Sequence, residues 1–326
     1  MDTIPRVSII VLNWNGWKDT IECLESLSKV TYHSYDIVIV DNHSRDGSVS
    51  KIWDYCKALY EESLGYHLRC VEFDGKEYYE IPRDTISHTL HQNAPKNRHT
   101  IALVKSNDNY GFAGGNNIGI RYALDNFNPS YLLLLNNDTI VDASFLDLLV
   151  SVGESNESIA LLGPKILYND YNGRKDVIWF AGGKINYWFG NIYTHLSDGE
   201  PDSYSDNHIK EVDWLSGCAL LMKVTSEMPL LNSRYFFGFE DVEYCIKAKK
   251  RGKKIIFVPS SRIWHKIGMS RKKTKPQVNR LIYKFRFIKE NFPAYVFCYR
   301  LLILCIIFPI WCLNYLVMGV KYKWQN

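Results

Sequence analysis

The sequence lacks the short motifs that identify several common classes of protein. None of its eight cysteines forms a CxxC pair, which argues against a zinc knuckle, and most lie in apolar segments, as free buried thiols of a reducing compartment do. There is no GxGxxG after the first predicted strand and no Walker A motif, so neither a nicotinamide enzyme nor a P-loop protein is predicted. The net charge of +4 is mild and does not by itself indicate nucleic-acid binding.

The sequence also lacks an internal repeat and a low-complexity tract. Its first residues lead directly into a β-rich segment, without the basic and apolar regions of a signal peptide, so we expect no secretory signal. The chain does have size and apolar content, with 326 residues of which 46% are hydrophobic and 14% aromatic. This is enough for one large domain or two ordinary ones with a substantial core. Aromatic side chains pack cores, and they also form platforms for sugars and belts at membrane surfaces.

Predicted strands alternate with predicted helices along most of residues 5–268. A β-rich segment at residues 6–14 is followed by apolar residues at helical spacing, and a second strand and helix follow by residue 60. This order predicts an α/β protein with a mostly parallel sheet flanked by helices. Residues 61–99 break the alternation, because they are polar and contain four histidines. We interpret them as an insertion between sheet elements that lies on the surface rather than around a metal ion.

Polar residues follow four of the predicted strands. Because ligands of open α/β sheets bind beyond the carboxyl ends of the strands, we expect these residues to surround one ligand. Asn and Asp at such places are also common in turns, and glycines there also suit a tight loop before a helix. The four segments are residues 13–16, 41–42, 109–117 and 136–138.

Three side chains in and near these segments have the chemistry to bind a nucleotide diphosphate. Asp41, ionised at a strand end, can accept a hydrogen bond from the imide N–H of uracil or thymine. Asp138 is either a turn residue or an oxygen ligand for a divalent cation that neutralises the diphosphate. His265, after the last predicted strand, is either a surface residue or a second ligand, and a mixed oxygen and nitrogen site favours Mn²⁺ over Mg²⁺.

Glu240 and Asp241 begin a predicted helix that ends in basic residues and Gly252. Their role can be limited to favourable interaction with the helix dipole. However, adjacent acids do not share a helical face, so one of them can face the cleft while the other fixes the loop. A carboxylate is ionised at neutral pH and can take a proton from an attacking hydroxyl group.

Together these segments resemble the family-2 glycosyltransferases, and within them the rhamnosyltransferase-like group. The similarity covers most of residues 5–268. It implies the GT-A fold, a nucleotide-diphosphate sugar donor (dTDP-linked rhamnose or a UDP-linked sugar), a divalent cation (Mn²⁺ or Mg²⁺) and inversion of the anomeric carbon. The segments that carry it are VSIIVLNWNG, IVIVDNHSRDGS, NYGFAGGNNIGI, LLLLNNDT, WLSGCALLM, FFGFEDVEYCIKAKKRG and the final WH.

The resemblance assigns residues of this cleft to the donor, to the metal ion and to catalysis. It implies that Asp241 is the general base with Glu240 beside it, and that Asp138 and His265 hold the metal ion. This chain has Asn136 where many relatives have Asp, which removes one charge from the family's D-x-D motif. The residues implied to line the donor and acceptor sites are Asn13 and Asp41 at the nucleoside, Asn109, Gly111, Gly114, Gly115 and Asn116 at the nucleotide and donor, Asn136 and Asp138 at the D-x-D positions, and Trp214, Ser216 and Gly217 at the donor sugar and acceptor.

Residues 271–326 form a predicted second domain, a basic and apolar helical tail that follows a domain of residues 1–270. Residues 271–289 are rich in Lys and Arg, and residues 301–320 are apolar over about the length of a membrane span. Pro309 and flanking cationic residues suit kinked, re-entrant or in-plane helices as well as one span. A buried helix pair or a homo-oligomer contact is the alternative. A tail on the cytoplasmic face of a membrane suits a glycan or polyprenyl-linked acceptor.

Two other classes of function are open from the residues alone. A nucleotidyltransferase-like enzyme is also α/β with acidic metal ligands, but it would use paired carboxylates and basic phosphate clamps, which the cleft motifs lack. A non-catalytic sugar-binding or membrane scaffold would not need Asp138, Asp241 and His265 together. Nucleic acid is not an expected partner, because the apolar segment beside the basic residues explains the tail better.

Overall fold

A mixed sheet of twelve strands organises the larger of two units in the chain. The computed structural model describes residues 4–63, 66–80, 99–186, 192–204, 208–267 and 278–302. The first unit comprises residues 1–184 and 193–275, and the second comprises residues 185–192 and 276–326. The strands are β1 (Val7–Asn13), β2 (Tyr35–Asp41), β3 (Tyr66–Phe73), β4 (Tyr78–Glu80), β5 (His99–Ser106), β6 (Tyr131–Asn136), β7 (Thr139–Val141), β8 (Ile159–Tyr168), β9 (Ile178–Phe180), β10 (Gly183–Ile185), β11 (Tyr193–His195), β12 (Lys210–Glu211), β13 (Ala219–Lys223) and β14 (Lys254–His265). The helices are α1 (Trp17–Leu27), α2 (Ser48–Ser63), α3 (Gly111–Phe127), α4 (Phe145–Glu154), α5 (Glu240–Lys250) and α6 (Val278–Asn291).

Five parallel strands form one half of the sheet, in the order β3-β5-β2-β1-β6. β1 is buried on both faces, as its nearly continuous apolar sequence predicts for a central parallel strand. Its register places Asn13 opposite Asp41 of β2, and Leu12 opposite Asn136 of β6. Since parallel strands end at the same edge, three of the predicted polar segments meet there. The predicted α/β sheet flanked by helices is confirmed, with α3 packed on β1 and β2.

Residues 66–80 belong to this sheet, so the predicted insertion over residues 61–99 is wrong for this part. β3 pairs in parallel with β5 along its whole length, and β4 pairs antiparallel with β3. Leu68 and Cys70 of β3 are buried, whereas His67 and Arg69, which alternate with them, are only half-buried. This short alternation, with polar residues on one face, is a weak strand signal, which is why the segment resembles a surface excursion. The remainder, residues 81–98, lies outside the described residues.

The other half of the sheet contains the antiparallel strand β13. It pairs with β6 on one side and with β8 on the other, and β14 runs parallel to β8. The short strand β7 pairs antiparallel with the end of β14, which places Thr139 opposite His265. These pairings bring the chain that follows β6 next to the end of β14, although the two segments are far apart in sequence.

Helix α5 begins and ends where its charges predict. Its first turn carries Glu240, Asp241 and Glu243, and its last turn carries lysines. This distribution favours the helix, because acids interact well with the positive N-terminal end of the dipole and bases with the C-terminal end. Gly252, at φ +72°, follows the helix in the left-handed conformation that glycine adopts without strain.

The second unit contains α6 and a helical segment at residues 294–302. Phe287, Phe292 and Val296 are buried side chains of this unit. Of the helices described here, none has the length and apolar content that crossing a membrane requires. The predicted apolar segment lies outside the described residues from residue 303 onward. The proposed domain boundary at residue 270 stays a prediction.

Candidate active site

Asn13 and Asp41 form a buried polar pair at the carboxyl ends of β1 and β2. Asn13 Nδ2 donates to Asp41 Oδ2 at 2.7 Å. The other carboxylate oxygen, Oδ1, accepts from the backbone N–H of Ser44 at 2.9 Å. The Asn13 amide oxygen accepts in turn from Thr20 Oγ1 at 2.9 Å. These bonds fix the carboxylate at the strand end, where each of its oxygens keeps a lone pair for a further donor.

Asn42 holds the loop before α3; it lies in the predicted polar segment of residues 41–42, but the sequence assigns it no role of its own. Its Nδ2 donates to Asn109 Oδ1 at 2.9 Å and to the Gly111 carbonyl oxygen at 3.1 Å. Its Oδ1 accepts from the backbone N–H of Tyr110 at 3.0 Å. The available signal is its position beside Asp41 at a strand end, since an amide there can donate and accept in two directions. Asn42 therefore connects the second of the four predicted segments, residues 41–42, to the third, residues 109–117.

Two glycines near the start of α3 allow close packing. Gly111 has φ +70°, and a Cβ on it would lie 2.4 Å from the Phe236 carbonyl oxygen. A Cβ on Gly115 would lie 2.5 Å from Leu12 Cδ1 in β1. Both positions thus need glycine for packing within the protein. Their contact with a nucleotide stays a prediction.

Gly114 and Asn116 also have partners within the protein. A Cβ on Gly114 would lie 2.7 Å from Tyr110 Cβ. Asn116 is buried, and its Nδ2 donates to the Phe112 carbonyl oxygen one helical turn earlier at 2.9 Å. Their implied contact with the donor stays a prediction as well.

The segment after β6 combines a turn with a candidate metal ligand. Asn137 Nδ2 donates to Thr20 Oγ1 at 3.0 Å and to Asn13 Oδ1 at 3.3 Å, which ties the turn to the end of β1. Asp138 is buried, and its Oδ1 lies 3.1 Å from His265 Nε2. The segment is therefore a turn that Asn137 fixes and from which Asp138 reaches His265, and the role of Asp138 as a metal ligand stays a prediction.

Asp138 and His265 are electrostatically coupled. Burial alone would raise the pKa of Asp138, but His265 and Lys266 bring that pKa below its ordinary value. Burial alone would lower the pKa of His265, but the adjoining Cys218 and Asp138 raise that pKa above its ordinary value. These two directions favour a proton on His265 beside an ionised Asp138 when no cation is bound. A cation that binds both must therefore displace a proton.

The same pair fits a divalent cation. Adjacent ligands of an octahedral ion with bonds of about 2.1 Å lie roughly 3 Å apart, and the Asp138 Oδ1 and His265 Nε2 atoms are 3.1 Å apart. Within the described ranges, no group of three or more His, Cys, Asp or Glu side chains forms a metal-binding cluster. The remaining ligands would then be water and the diphosphate. A carboxylate and imidazole pair suits Mn²⁺ at least as well as Mg²⁺.

Residues 216–218 connect the end of β6 to Asp241. The Asn136 N–H donates to the Cys218 carbonyl oxygen at 2.9 Å. The Gly217 N–H donates to Asp241 Oδ2 at 2.9 Å. A Cβ on Gly217 would lie 3.5 Å from Asp241 Cβ, so the loop passes close to the carboxylate. The predicted D-x-D position and the predicted base thus contact the same short loop.

Cys218 lies close to the predicted metal pair and to the predicted base. Burial raises the pKa of its thiol, and His265, Asp138 and Asp241 all act on that pKa. The contacts that link these side chains are the Asp138 and His265 pair and the loop of residues 216–218, which bonds to Asn136 and to Asp241. The convergence of Asp138, His265 and Asp241 on one ligand stays a prediction, as do their individual roles.

Asp241 and Glu240 differ in exposure and in partners. Asp241 is half-buried and accepts from the backbone N–H groups of Gly217 at 2.9 Å and Val242 at 2.8 Å. Burial raises the pKa of Asp241 against the lowering effect of these bonds. Glu240 is buried, its Oε2 makes no hydrogen bond, and burial and Asp241 raise the pKa of Glu240 to about 8. Asp241 is therefore the one of the two that can meet a substrate.

Trp214 and Ser216 are buried and make their contacts within the protein. Trp214 is only 2% exposed, and its ring centroid lies 4.8 Å from that of Phe180 and 5.4 Å from that of His195. Ser216 is buried, and its Oγ accepts from the Cys218 N–H at 3.2 Å. These contacts are with the protein interior, and the implied contact of either residue with a sugar stays a prediction.

Trp179 and His195 also belong to this region and are not predicted from the sequence. The Trp179 ring centroid lies 5.2 Å from that of His195 and 4.7 Å from that of His265. His195 Nδ1 lies 3.2 Å from the Trp179 carbonyl oxygen, which only accepts, so Nδ1 carries the proton. His195 also lowers the pKa of Asp241. No local motif marks these residues, because the strands that place them, β9 and β11, are only three residues each.

Comparison with known proteins finds similarity to one family. Residues 8–77 match the model of Glycosyl transferase family 2. The chain is 25% identical over 155 residues to the low-salt glycan biosynthesis hexosyltransferase Agl10 of Haloferax volcanii, covering 46% of this chain and 47% of that protein. It is 24% identical over 222 residues to the rhamnosyltransferase WbbL of Escherichia coli (strain K12), covering 65% of this chain and 78% of that protein.

The fold is shared with a solved structure of GalNAc-T7 that contains UDP, GalNAc and Mn²⁺. The TM-score is 0.63 at 16% sequence identity, over 88% of this chain and 48% of that chain. This chain thus spans about half the length of Agl10 and of GalNAc-T7. The predicted GT-A fold is confirmed. The resemblance of the motifs to the family-2 glycosyltransferases agrees with the match of residues 8–77 to that family's model and with the similarity to Agl10 and WbbL.

Proposed function

We propose that the protein is an inverting glycosyltransferase that moves a hexose from a nucleotide-diphosphate sugar to a hydroxyl group of a glycan or lipid-linked acceptor. The observation that carries this proposal is the loop of residues 216–218, which bonds to the end of β6 and to Asp241. This loop supports the proposal that Asp241 and the pair of side chains suited to a divalent cation, Asp138 and His265, act in one site. Displacement at an anomeric carbon needs a base for the incoming hydroxyl and positive charge near the leaving diphosphate.

Asp241 acts on the acceptor in this proposal. The Gly217 and Val242 N–H groups hold its two oxygens, and each oxygen keeps a lone pair for the acceptor O–H. The carboxylate takes the proton as the hydroxyl oxygen bonds to the anomeric carbon. The nucleotide diphosphate leaves from the opposite face with the bonding electrons, so the configuration inverts. This is a single displacement without a covalent enzyme intermediate.

Asp138 and His265 would hold the divalent cation, Mn²⁺ or Mg²⁺. When bound, the cation supplies positive charge for the diphosphate. Asn136 contributes a neutral amide at the other D-x-D position, so the protein offers one carboxylate and one imidazole. We expect the cation to bind weakly alone and more tightly together with the nucleotide, whose phosphate oxygens complete the coordination.

The proposed donors are dTDP-linked rhamnose and UDP-linked hexoses. Asn13 and Ser44 hold the Asp41 carboxylate at the end of β2, and in this proposal its remaining lone pairs accept from the imide N–H of thymine or uracil. Agl10 is a hexosyltransferase and WbbL a rhamnosyltransferase, which supports a hexose donor.

Thermal-shift measurements with a series of nucleotide sugars test the donor. A ligand that binds the folded state raises its melting temperature. We expect dTDP-rhamnose or a UDP-hexose to raise the melting temperature in the presence of Mn²⁺, and GDP-mannose to have less effect, because guanine presents a different hydrogen-bonding edge. The stabilising sugar should then release its nucleotide diphosphate on incubation with the protein. If no nucleotide sugar stabilises the protein with or without Mn²⁺, the proposed activity is wrong.

We also propose that the protein acts at the cytoplasmic face of a membrane, on an acceptor carried by a polyprenyl diphosphate. The basic residues 271–289 and the apolar residues that follow support this, because anionic lipids attract Lys and Arg near the surface. Co-sedimentation of the full chain with vesicles tests the proposal. Binding should be stronger to anionic than to zwitterionic vesicles, and equal recovery in the supernatant with both would contradict it.

A further inference from the structure

Two adjacent phenylalanines on the loop before α5 expose their rings to solvent. Phe236 is 45% exposed and Phe237 is 58% exposed. Single exposed apolar residues are common, but neighbouring aromatic rings beside a polar site often mark a binding surface. In the same loop, the rings of Tyr235 and Phe239 are buried. The exposed patch is therefore short, and it is flanked by buried residues on both sides in sequence.

The backbone on either side holds this patch in place. The Phe112 N–H at the start of α3 donates to the Phe236 carbonyl oxygen at 2.8 Å. Gly111 allows this approach, because a Cβ on it would lie 2.8 Å from Phe236 Cδ2. Gly238 at φ +96° and Phe239 at φ +77° then turn the chain sharply, so that Phe239 enters the core while Phe237 stays outside. The left-handed conformation of a phenylalanine is strained, so surrounding packing must hold this turn.

The patch continues directly to the proposed base. The Phe237 ring lies edge-to-face with Phe112, with centroids 6.4 Å apart and an interplanar angle of 87°. Phe112 covers Gly217, since a Cβ on Gly217 would lie 3.1 Å from the Phe112 ring atoms Cε1 and Cζ. Gly217 in turn donates its N–H to Asp241 Oδ2 at 2.9 Å. A continuous path of contacts therefore leads from an exposed ring to the carboxylate that would accept the acceptor's proton.

We propose that Phe112, Phe236 and Phe237 form an acceptor platform, on which the apolar face of a pyranose ring stacks and presents one hydroxyl group to Asp241. The proposal rests on the proposed transferase function. One face of many pyranoses carries several C–H groups, and an aromatic ring has a negative face that attracts them. The hydroxyl groups of a stacked sugar project from its edge, where the Asp241 carboxylate can accept from one of them. The occupant is a sugar rather than a lipid chain, because the exposed rings connect through Phe112 and Gly217 to a carboxylate, and the exposed patch does not extend along the loop into Tyr235 or Phe239.

Saturation-transfer NMR with the full chain tests the platform without knowledge of the natural acceptor. The probes are methyl α-L-rhamnopyranoside, methyl β-D-glucopyranoside and methyl N-acetyl-β-D-glucosaminide, with farnesyl phosphate as the lipid probe. The variants are Phe237→Ala and Phe237→Tyr, with Tyr79→Ala as the matched control, since Tyr79 on β4 is 50% exposed and lies outside the site. Thermal unfolding and the shift produced by UDP check that each variant folds and binds nucleotide as the wild type does.

At least one pyranoside should give a signal on the C–H protons of one face in the wild type. Loss of an aromatic contact worth about 0.5–1.5 kcal/mol predicts roughly two- to tenfold weaker binding in Phe237→Ala. Binding should return in Phe237→Tyr and stay unchanged in Tyr79→Ala. The platform is refuted if no pyranoside binds the wild type at millimolar concentrations, if Phe237→Ala binds as well as the wild type, or if the variant loses only farnesyl phosphate. Nucleotide release from the donor is measured separately, so its absence would refute the transferase function while the sugar-binding result stands by itself.

Discussion

Replacing Asp241 by Asn tests the centre of the proposed mechanism, because it removes a base but keeps a side chain of the same shape. The carboxylate accepts from the backbone N–H groups of Gly217 and Val242. An amide has only one acceptor oxygen, so one of these N–H groups would lose its partner. A buried donor without a partner costs about 1–3 kcal/mol. Burial disfavours the charged carboxylate, however, and the neutral amide removes that penalty.

We therefore expect a net loss of at most about 2 kcal/mol in the free energy of unfolding, which lowers the melting temperature by no more than roughly 8 °C. Nucleotide binding should stay close to wild type, because Asp241 contacts the loop of residues 216–218 rather than the Asn13 and Asp41 pair. Turnover should fall about 10²- to 10⁴-fold, the usual contribution of a general base. The assay is release of nucleotide diphosphate from the sugar donor with water as acceptor. The control is Glu80→Gln, which removes a carboxylate that is 71% exposed on β4.

The pH profile makes this test more specific. The reaction needs the ionised form of Asp241, and burial raises the pKa of that group. The wild-type rate should therefore rise with pH through a value above that of an exposed aspartate, and Asp241→Asn should lose this limb. A folded variant that releases nucleotide as fast as the wild type, with the same acidic limb, would remove Asp241 from the role of base.

Three further changes test the packing, the metal pair and the buried acid. Gly115→Ala places a Cβ 2.5 Å from Leu12 Cδ1, so we expect a loss of about 1–3 kcal/mol in urea unfolding, and unchanged stability would contradict the close contact of α3 with β1. His265→Ala leaves Asp138 as the one remaining member of the pair, so the extra thermal stabilisation that Mn²⁺ adds to bound UDP should disappear; a retained Mn²⁺ effect would place the cation elsewhere. Burial raises the pKa of Glu240 from 4.5 to about 8, so the folded protein keeps a proton there that the unfolded chain has lost. Stability from this group is present below about pH 4.5 and declines as pH rises towards 8, by up to about 1.4 kcal/mol per pH unit. Glu240→Gln should flatten that decline in urea unfolding measured across this range, and an identical pH dependence in variant and wild type would show that Glu240 ionises normally.

The central strands and the positions of their polar ends follow from the sequence, because both depend on local patterns. The buried sequence of β1 is apolar at almost every position, and Asn13 marks where it leaves the core. β3 is different, because its alternation of apolar and polar residues is short. Its neighbours in the sheet are β5 and β4. A strand of this kind is stabilised by pairing with β5 rather than by its own residues, and pairing is not visible in a local window.

The candidate site shows the same difference between what local patterns predict and what depends on contacts between distant segments. A motif supplies the type of residue at a strand end, but it does not supply the direction in which the side chain projects. Trp214 is therefore predicted at the cleft and is found buried. Asn42 stands next to Asp41 in the sequence, yet its importance comes from its bonds to Asn109 and Gly111 on another segment. Contacts between distant segments of this kind require the complete fold.

The antiparallel direction of β13 explains how residues from the second half of the chain come to lie beside the end of β6, which belongs to the first half. β13 starts at Ala219, opposite Leu135 near the end of β6. In an antiparallel pair the start of one strand lies beside the end of the other, so residues 216–218 must lie beside Asn136. A parallel strand of the same five residues would start at the opposite edge of the sheet, about 17 Å away. Gly217 could not then bond to Asp241 and stay close to the chain that carries Asp138. The proposed base and the proposed metal pair can thus occupy one site only because β13 runs antiparallel to β6.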